Sequence, residues 1–458
     1  MLFNLYWLAT DENIPQRGYC FRFIKACIFT KNSNAISFVK KIIKKIHLIL
    51  GLIIGAVIIV VSLTGCIYAF QNELQNLTQP YRFIEKKTLS FLPPDQLKAI
   101  ALHELPGKKV NRLHYGKKNE AAIIGSYGPD YYFRIYLNPY TGHVLKVKDM
   151  NSDFFRFILN GHFYLWLPPD IGKPVVSIAT LAFVFMIISG IILWWPGSKA
   201  ATKQRFSIKW NAKWRRKNYD LHNVLGFYSS FVLLCISITG LVWGFEWFSK
   251  SFYRITSGGK TLVEWSPAVS DTTKANQPIF IPSSMESKSP VNFIWAKTAT
   301  EHPGIESIDV DFPGNKKGAI GISVNSDATT YWKSDNRFYD QYTLKEINVK
   351  HVYGRFNDKL TAADKIRRMN YDIHVGAILG LPGKFLAFFA SLICASLPVT
   401  GFMIWYGRRY KQKTKRIATD SFIKYAEFKG LQVTETIEIP QPQQKKKFRL
   451  RKKSHNRN

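Results

Sequence analysis

Residues 220–245 read DLHNVLGFYSSFVLLCISITGLVWGF, and residues 44–70 read KKIHLILGLIIGAVIIVVSLTGCIYAF. Each is an apolar run with a histidine at its mouth, His222 or His47, and a Thr-Gly pair far along its length. No charge interrupts residues 221–245, and three further uncharged runs occupy 46–72, 174–198 and 385–407. A helix needs roughly 20 apolar residues to cross a bilayer core, and a helix apolar all round is one immersed in lipid or in a large core. The pattern predicts a polytopic α-helical membrane protein with four transmembrane helices, at 46–72, 174–198, 221–248 and 376–407.

Basic residues orient these spans. The chain has 458 residues, with 64 Lys and Arg against 31 Asp and Glu, a net charge of +33. Segment 196–219 holds eight Lys/Arg and no acid, KKIIKKI stands at 40–46, and RRYKQKTKR follows the last span. Short loops rich in Lys and Arg stay in the cytoplasm. That puts 1–45, 199–219 and 408–458 inside, with the mixed-charge segments 73–161 and 249–366 outside. The excess charge then reads as topology and as attraction to anionic lipids, and nucleic acid is not an expected partner. The first 38 residues lack the basic-then-apolar order of a signal peptide, so they read as an interfacial or poorly ordered extension, with the first span as an uncleaved anchor.

The five cysteines, Cys20, Cys27, Cys66, Cys235 and Cys394, avoid the long outer segments, so no disulfide framework is expected there. No CxxCH is present, which argues against covalently attached haem.

The chain reads as a duplication. With His47 aligned on His222, Gly51 matches Gly226, Ser62-Leu-Thr64-Gly65 matches Ser237-Ile-Thr239-Gly240, and Phe70 matches Phe245, without a gap. HFYLWLPPDIGK (162–173) and HVGAILGLPGK (374–384) precede the second and fourth spans. Those spans end on Ser189-Gly190 and Thr400-Gly401, each with Trp four residues after the glycine. Each half is span, outer segment, span, entering the membrane in the same direction, which makes two parallel repeats. The small-Gly pairs read as close helix contacts, and Trp194, Trp195 and Trp405 as an interfacial belt.

In the first outer segment, YYFRIYLNPYTGHVLKV (131–147) alternates about a Pro-Gly turn, a strand hairpin, and PDQLKAIALHEL (94–105) reads as a short helix. In the second, RFYDQYTLKEINV (337–349) is the counterpart hairpin with Leu344 in place of the turn glycine, and GIESIDVDFPGNKKGAIGISV (304–324) gives two more strands. Two small α+β domains are expected, each a helix on its own antiparallel sheet, with the many tyrosines used for packing.

YLNPYTGHVL, the span endings SGIILWWP and TGFMIWYGRR, and histidines at all four span entrances together resemble the PepSY-associated transmembrane family over residues 40–415. The resemblance implies a bacterial inner-membrane protein with two PepSY-like extracytoplasmic domains. It also implies similarity to iron-regulated ferric-siderophore reductases that carry haem b.

The histidines fit that expectation. The topology puts His47 and His222 at the cytoplasmic face and His162 and His374 at the outer face, one per half in each pair. Neutral imidazole ligates haem iron, so these four are the expected ligands of one or two haem b groups. Gly51 and Gly226, one turn beyond the inner histidines, leave width for a flat ring. Lys44, Lys45, Arg215 and Arg216 inside, and Arg156, Arg367 and Arg368 outside, are expected carboxylate partners. His103, His114, His143, His302 and His351 read as solvated surface. His47 and Thr64 are separated by roughly 25 Å of helix, a gap that two cofactors would shorten. Without a GxGxxG after a strand or a P-loop, the electron donor would be a separate cytoplasmic reductase or a membrane quinol, and a ferric chelate outside would be the acceptor. The alternative reading is a non-enzymatic membrane scaffold whose outer domains bind or regulate a partner such as a protease.

Overall fold

The structure, a computed structural model, describes residues 33–428 apart from 197, 199–201, 203, 280 and 282–288, together with 431–434 and 449–452. Cys20, Cys27, His455, the first 32 residues and most of the final basic run lie outside the described residues. Two compact units are distinguished: residues up to Gly197 with Gly226–Pro398, and Ser198–Leu225 with residues from Val399 onward.

Among the described residues four helices are long and apolar enough to cross a membrane, over Phe38–Ala69, Pro169–Trp194, Trp214–Gly244 and Ala377–Tyr410. They belong to α1 (Ser33–Ala69), α5 (Pro169–Trp194), α6 (Trp214–Gly244) and α11 (Gly380–Phe428). In the first unit Ile54 and Ile58 of α1 pack with Ala179 and Ile187 of α5, Leu233 of α6, and Ala390 and Cys394 of α11. Cys66 and Cys394 are buried free thiols and Cys235 is an exposed one.

Between α1 and α5 the chain forms α2 (Gln71–Thr78), α3 (Pro94–Glu104), β1 (Arg112–Tyr115), β2 (Ala122–Tyr127), β3 (Tyr132–Leu137), β4 (Val144–Asp149) and α4 (Phe154–Tyr164). Between α6 and α11 lie α7 (Glu246–Thr256), α8 (Pro290–Glu301), β5 (Ser307–Asp311), β6 (Ile320–Asn325), β7 (Asp335–Tyr339), β8 (Glu346–Ile347), α9 (Ala362–Arg368) and α10 (Asn370–His374). The hairpin expected at 131–147 is β3–β4, and its counterpart at 337–349 is β7–β8.

The expectation of two separate sheets is corrected. β1 pairs antiparallel with β5, giving one eight-stranded sheet of order β4-β3-β2-β1-β5-β6-β7-β8. An unpaired strand edge is a liability, and each half covers the other's. Side chains fasten the seam: Arg112 Nη2 donates to Asp311 Oδ2 at 2.8 Å, and His114 Nδ1 lies 3.0 Å from Asp309 Oδ1. One sheet face is apolar. Leu113, Ile124, Ile135, Val310 and Ile322 are fully buried against Leu97 and Ala101 of α3 and Ile294 of α8. Strand side chains alternate between faces, so the residues between them are presented on the opposite side.

Leu344 carries the backbone that its turn requires. Its φ is 58°, beside 75° at Gly142. Both turns close with matching bonds: Gly142 N to Asn138 O and Leu344 N to Asp340 O, each 2.9 Å. A left-handed conformation costs a β-carbon residue roughly 1–2 kcal/mol, and Leu344 offsets it by packing on the sheet core.

Candidate functional site

The four histidines share one kind of cradle, built from the Ser/Thr-Gly pair of the other span in the same half. His162 Nδ1 lies 2.9 Å from Val61 O and 3.3 Å from Thr64 Oγ1. Its Cε1 stands 3.1 Å from the point a β-carbon on Gly65 would occupy. His374 repeats this with Ile236 O and Thr239 Oγ1, both at 3.0 Å, and Gly240 at 3.5 Å. His47 Nδ1 is 2.8 Å from Ser189 Oγ, and its Cε1 is 3.4 Å from the Gly190 position. Within the second unit, His222 Nδ1 is 2.9 Å from Thr400 Oγ1, and its Cε1 is 3.2 Å from the Gly401 position.

This cradle fixes a tautomer. A backbone carbonyl can only accept, so Nδ1 of His162 and His374 carries the proton and donates. The Ser189 hydroxyl already donates to Met186 O at 3.0 Å, so it accepts from His47 in the same way. The lone pair is therefore on Nε2 of these three rings, and among the described residues none of the three Nε2 atoms has a hydrogen-bond partner. Anchoring one ring nitrogen leaves the other oriented as a ligand. Burial pushes the pKa of His162 and His374 down, His374 to about 3 with the His162 ring adding to the shift, so both rings are neutral.

His162 and His374 face each other, their ring centres 6.0 Å apart at an interplanar angle of 74°. Imidazole nitrogen binds a first-row metal at about 2.0 Å, so two such rings that shared one ion would have centres roughly 6 Å apart, close to the spacing of His162 and His374. Among the described residues no group of three or more metal-ligating side chains gathers.

Both ring carriers are held firmly. Asp153 caps α4, accepting from Arg156 N at 2.9 Å, and Leu165 and Trp166 then turn the chain through left-handed backbone toward Pro168–Pro169 and α5. Preceding α10, α9 opens with a Thr361–Asp364 capping box, and Tyr253 donates to Asp364 at 2.6 Å. Buried Asp372 accepts from Trp332 N at 2.9 Å. The Gly-Lys that follows each of His162 and His374 has a steric purpose. A β-carbon on Gly172 would collide with the backbone of Tyr164, and one on Gly383 with that of Gly376, so each glycine lets the histidine segment lie against its span. Gly172→Ala and Gly383→Ala are each expected to lower stability by several kcal/mol, since backbone cannot rotate aside. The midpoint of thermal unfolding in detergent measures this.

Gly51 faces Met186 Cε at 3.1 Å and Gly226 faces Leu397 at 3.5 Å from their β-carbon positions. The glycines that meet histidines are the ones read as packing residues. Trp194 is buried and stacked on Phe227, ring centres 3.6 Å apart, while Trp195 is exposed as a belt residue would be. Arg368 is spent on the carbonyls of Trp332, Val352 and Gly354, and Arg216 on Asp220. Arg156 lies over the Tyr132 ring. Arg367 keeps Nε and Nη1 buried without a partner, as a carboxylate-binding residue would. His103 is exposed, but His114 pairs with Asp309, His302 bonds Arg337 at 2.6 Å, and His351 is buried.

Two asparagines were missed in the sequence. Asn370 Nδ2 donates to Thr239 O and Asn218 Nδ2 to Thr400 O, both at 3.1 Å. Each stands four residues before a histidine. That Asn-x-x-x-His spacing is legible, but the first half has Ile43 and Ile158 instead, which hides it from an alignment of halves. From His374 a row of rings leads away: Trp243 at 5.1 Å, then Tyr371 at 6.3 Å, then Tyr331 at 5.2 Å.

The family model of the PepSY-associated TM region matches residues 44–408. The chain belongs to this family. The match spans both halves, all four histidines and all four Ser/Thr-Gly pairs, so the cradles lie wholly within the family region. No curated protein matches the chain.

Proposed function

We propose that the chain is a haem-b protein of the bacterial inner membrane that carries electrons outward to ferric chelates. Four spans in two parallel repeats, both termini cytoplasmic, would support two PepSY-like outer domains joined as one sheet. The observation that carries this is the recurring cradle, with a hydroxyl on Nδ1 and a glycine against Cε1 at four histidines, together with the 6.0 Å spacing of His162 and His374.

His162 and His374 would hold one haem b and His47 with His222 a second. Haem, when bound, supplies a one-electron ferric/ferrous couple. Thr64 and Thr239 hold the Nδ1 proton and aim Nε2. Arg367, whose Nε and Nη1 are buried without a hydrogen-bond partner, would bind a carboxylate. Gly51 and Gly226 remain in the proposal because each lies one turn from its histidine and faces a side-chain tip rather than backbone. The donor would be a cytoplasmic reductase or quinol. Oxygen-ligand chelates hold the harder ferric ion better than the ferrous one, so reduction outside would release iron.

Thr64→Val with Thr239→Val removes both hydroxyls and keeps the Val61 and Ile236 carbonyls. We expect haem loss to an apo-globin acceptor about tenfold faster, the low end of second-shell effects on metal binding. The function itself is tested in proteoliposomes holding an internal reductant, with an external ferrous trap. External ferric chelate should be reduced only by protein carrying haem. Pure protein that is colourless from haem-replete cells would instead support the anchored scaffold.

A further inference from the structure

The polar face of the sheet, with α2 and the neighbouring ends of α1 and α11, encloses a cavity of about 560 Å³, a size suited to a small-molecule ligand. Arg134 and Tyr132 of β3 reach it from the face opposite the buried Ile135. Tyr371, three residues before His374, and Tyr68, three after Gly65, also line it.

Several donors on its wall have no carboxylate partner. Gln75 is only 1% exposed; its Oε1 accepts from Arg82 Nη1 at 2.9 Å, and its Nε2 is buried with no hydrogen-bond partner. Arg82 is held by neutral oxygens, those of Gln75 and Asn76. Arg134 Nη2 donates to the Tyr132 hydroxyl at 3.2 Å. Among the described residues neither guanidinium has a carboxylate partner, whereas Arg112 pairs with Asp311 and Lys384 with Glu73. Asp309, also on the wall, is engaged by His114. A buried amide N–H and two uncompensated guanidinium groups ask for an oxygen-rich anion, and the tyrosine rings offer flat faces to an aryl group.

We propose that this cavity binds the electron acceptor, and that the acceptor is an anionic ferric chelate of carboxylate or catecholate oxygens. The inference rests on the ferric-chelate reading above and adds a position and a charge class. Gln75, Arg82 and Arg134 bind and select the chelate; they are not placed in electron delivery.

Calorimetric titration of the full chain in nanodiscs with gallium(III) chelates tests it, because gallium copies the size and charge of ferric iron yet is not reduced by the haem couple. A trianionic gallium catecholate should bind at least about tenfold more tightly than a neutral gallium trihydroxamate of similar size. Arg82→Gln and Arg134→Gln should each weaken the anionic chelate about tenfold and leave the neutral one unchanged, and Arg355→Gln, outside the cavity, should change neither. In the unaltered protein, anion binding should weaken from low to high ionic strength, so the proposal stays testable if a variant fails to fold. Equal binding of both chelates, salt-independent binding, or folded arginine variants without effect would overturn it. Anion-selective gallium binding without reduction of the ferric counterpart would sink the reductase reading and keep the site. Reduction without charge preference would do the reverse.

Discussion

His162→Ala and His374→Ala are each expected to remove one haem, taking the haem-to-protein ratio from about two to about one, and to slow reduction of external ferric chelate by about a hundredfold or more. The size of the effect follows from the pairing. The two rings stand 6.0 Å apart, each tied through Nδ1 to a different helix, α1 or α6. With one ring gone, the proposed site would keep a single Nε2 ligand, on a ring whose other nitrogen is hydrogen-bonded to its helix. His103→Ala, at a fully solvated position, should leave both quantities unchanged. Haem content by haemochrome assay and initial rates with a ferrous trap separate these outcomes. Unchanged haem content in both single variants would contradict the pairing.

Gly65→Val should give nearly the same loss without touching a ligand. A β-carbon there would sit 3.1 Å from His162 Cε1, closer than ordinary van der Waals contact, and the two further methyl groups of valine would take the space of the ring. Gly240→Val should do likewise through His374. Gly65→Ala should be milder, because the ring has only to yield by a few tenths of an ångström. Haem should remain, with faster loss to an acceptor. Gly407→Ala, with nothing within 4 Å of its β-carbon position, is the control. A graded response, valine worse than alanine and alanine worse than control, distinguishes ring displacement from general damage to helix packing. If Gly65→Val kept full haem content, the cradle would be only a packing contact.

The spans were legible because lipid imposes a long uncharged run, and helix length is set by bilayer thickness. The hairpins were legible because their turns carry Asn-Pro-Tyr-Thr-Gly and Asp-Gln-Tyr-Thr-Leu. The joining of two sheets into one was not. Pairing of β1 with β5 links residues nearly two hundred apart, and nothing in RLHY or SIDVD marks an edge as a partner rather than a liability. The complementary charges Arg112 and Asp311 become meaningful only once the register is known. For the site, the histidines and the Ser/Thr-Gly pairs were both visible, but their relation was not. His162 meets Thr64-Gly65 because α4 folds back on α1, a tertiary fact that no spacing along one helix encodes. The surface tyrosines misled for a similar reason. Tyr132 sits in β3 like a packing residue and Tyr331 in the β6–β7 loop, yet both line the cavity.

If imidazoles from different halves clamp a haem through Nε2, the metal's spin and ligation state will report it. The most direct measurement is the reduced-minus-oxidised absorption spectrum and low-temperature electron paramagnetic resonance of pure protein, with haem counted per chain. Low-spin, six-coordinate haem b at two sites is the expected result, with one site lost in His374→Ala while the other keeps its signal. Protein without haem, or a haem signal that survives replacement of all four histidines, would contradict it.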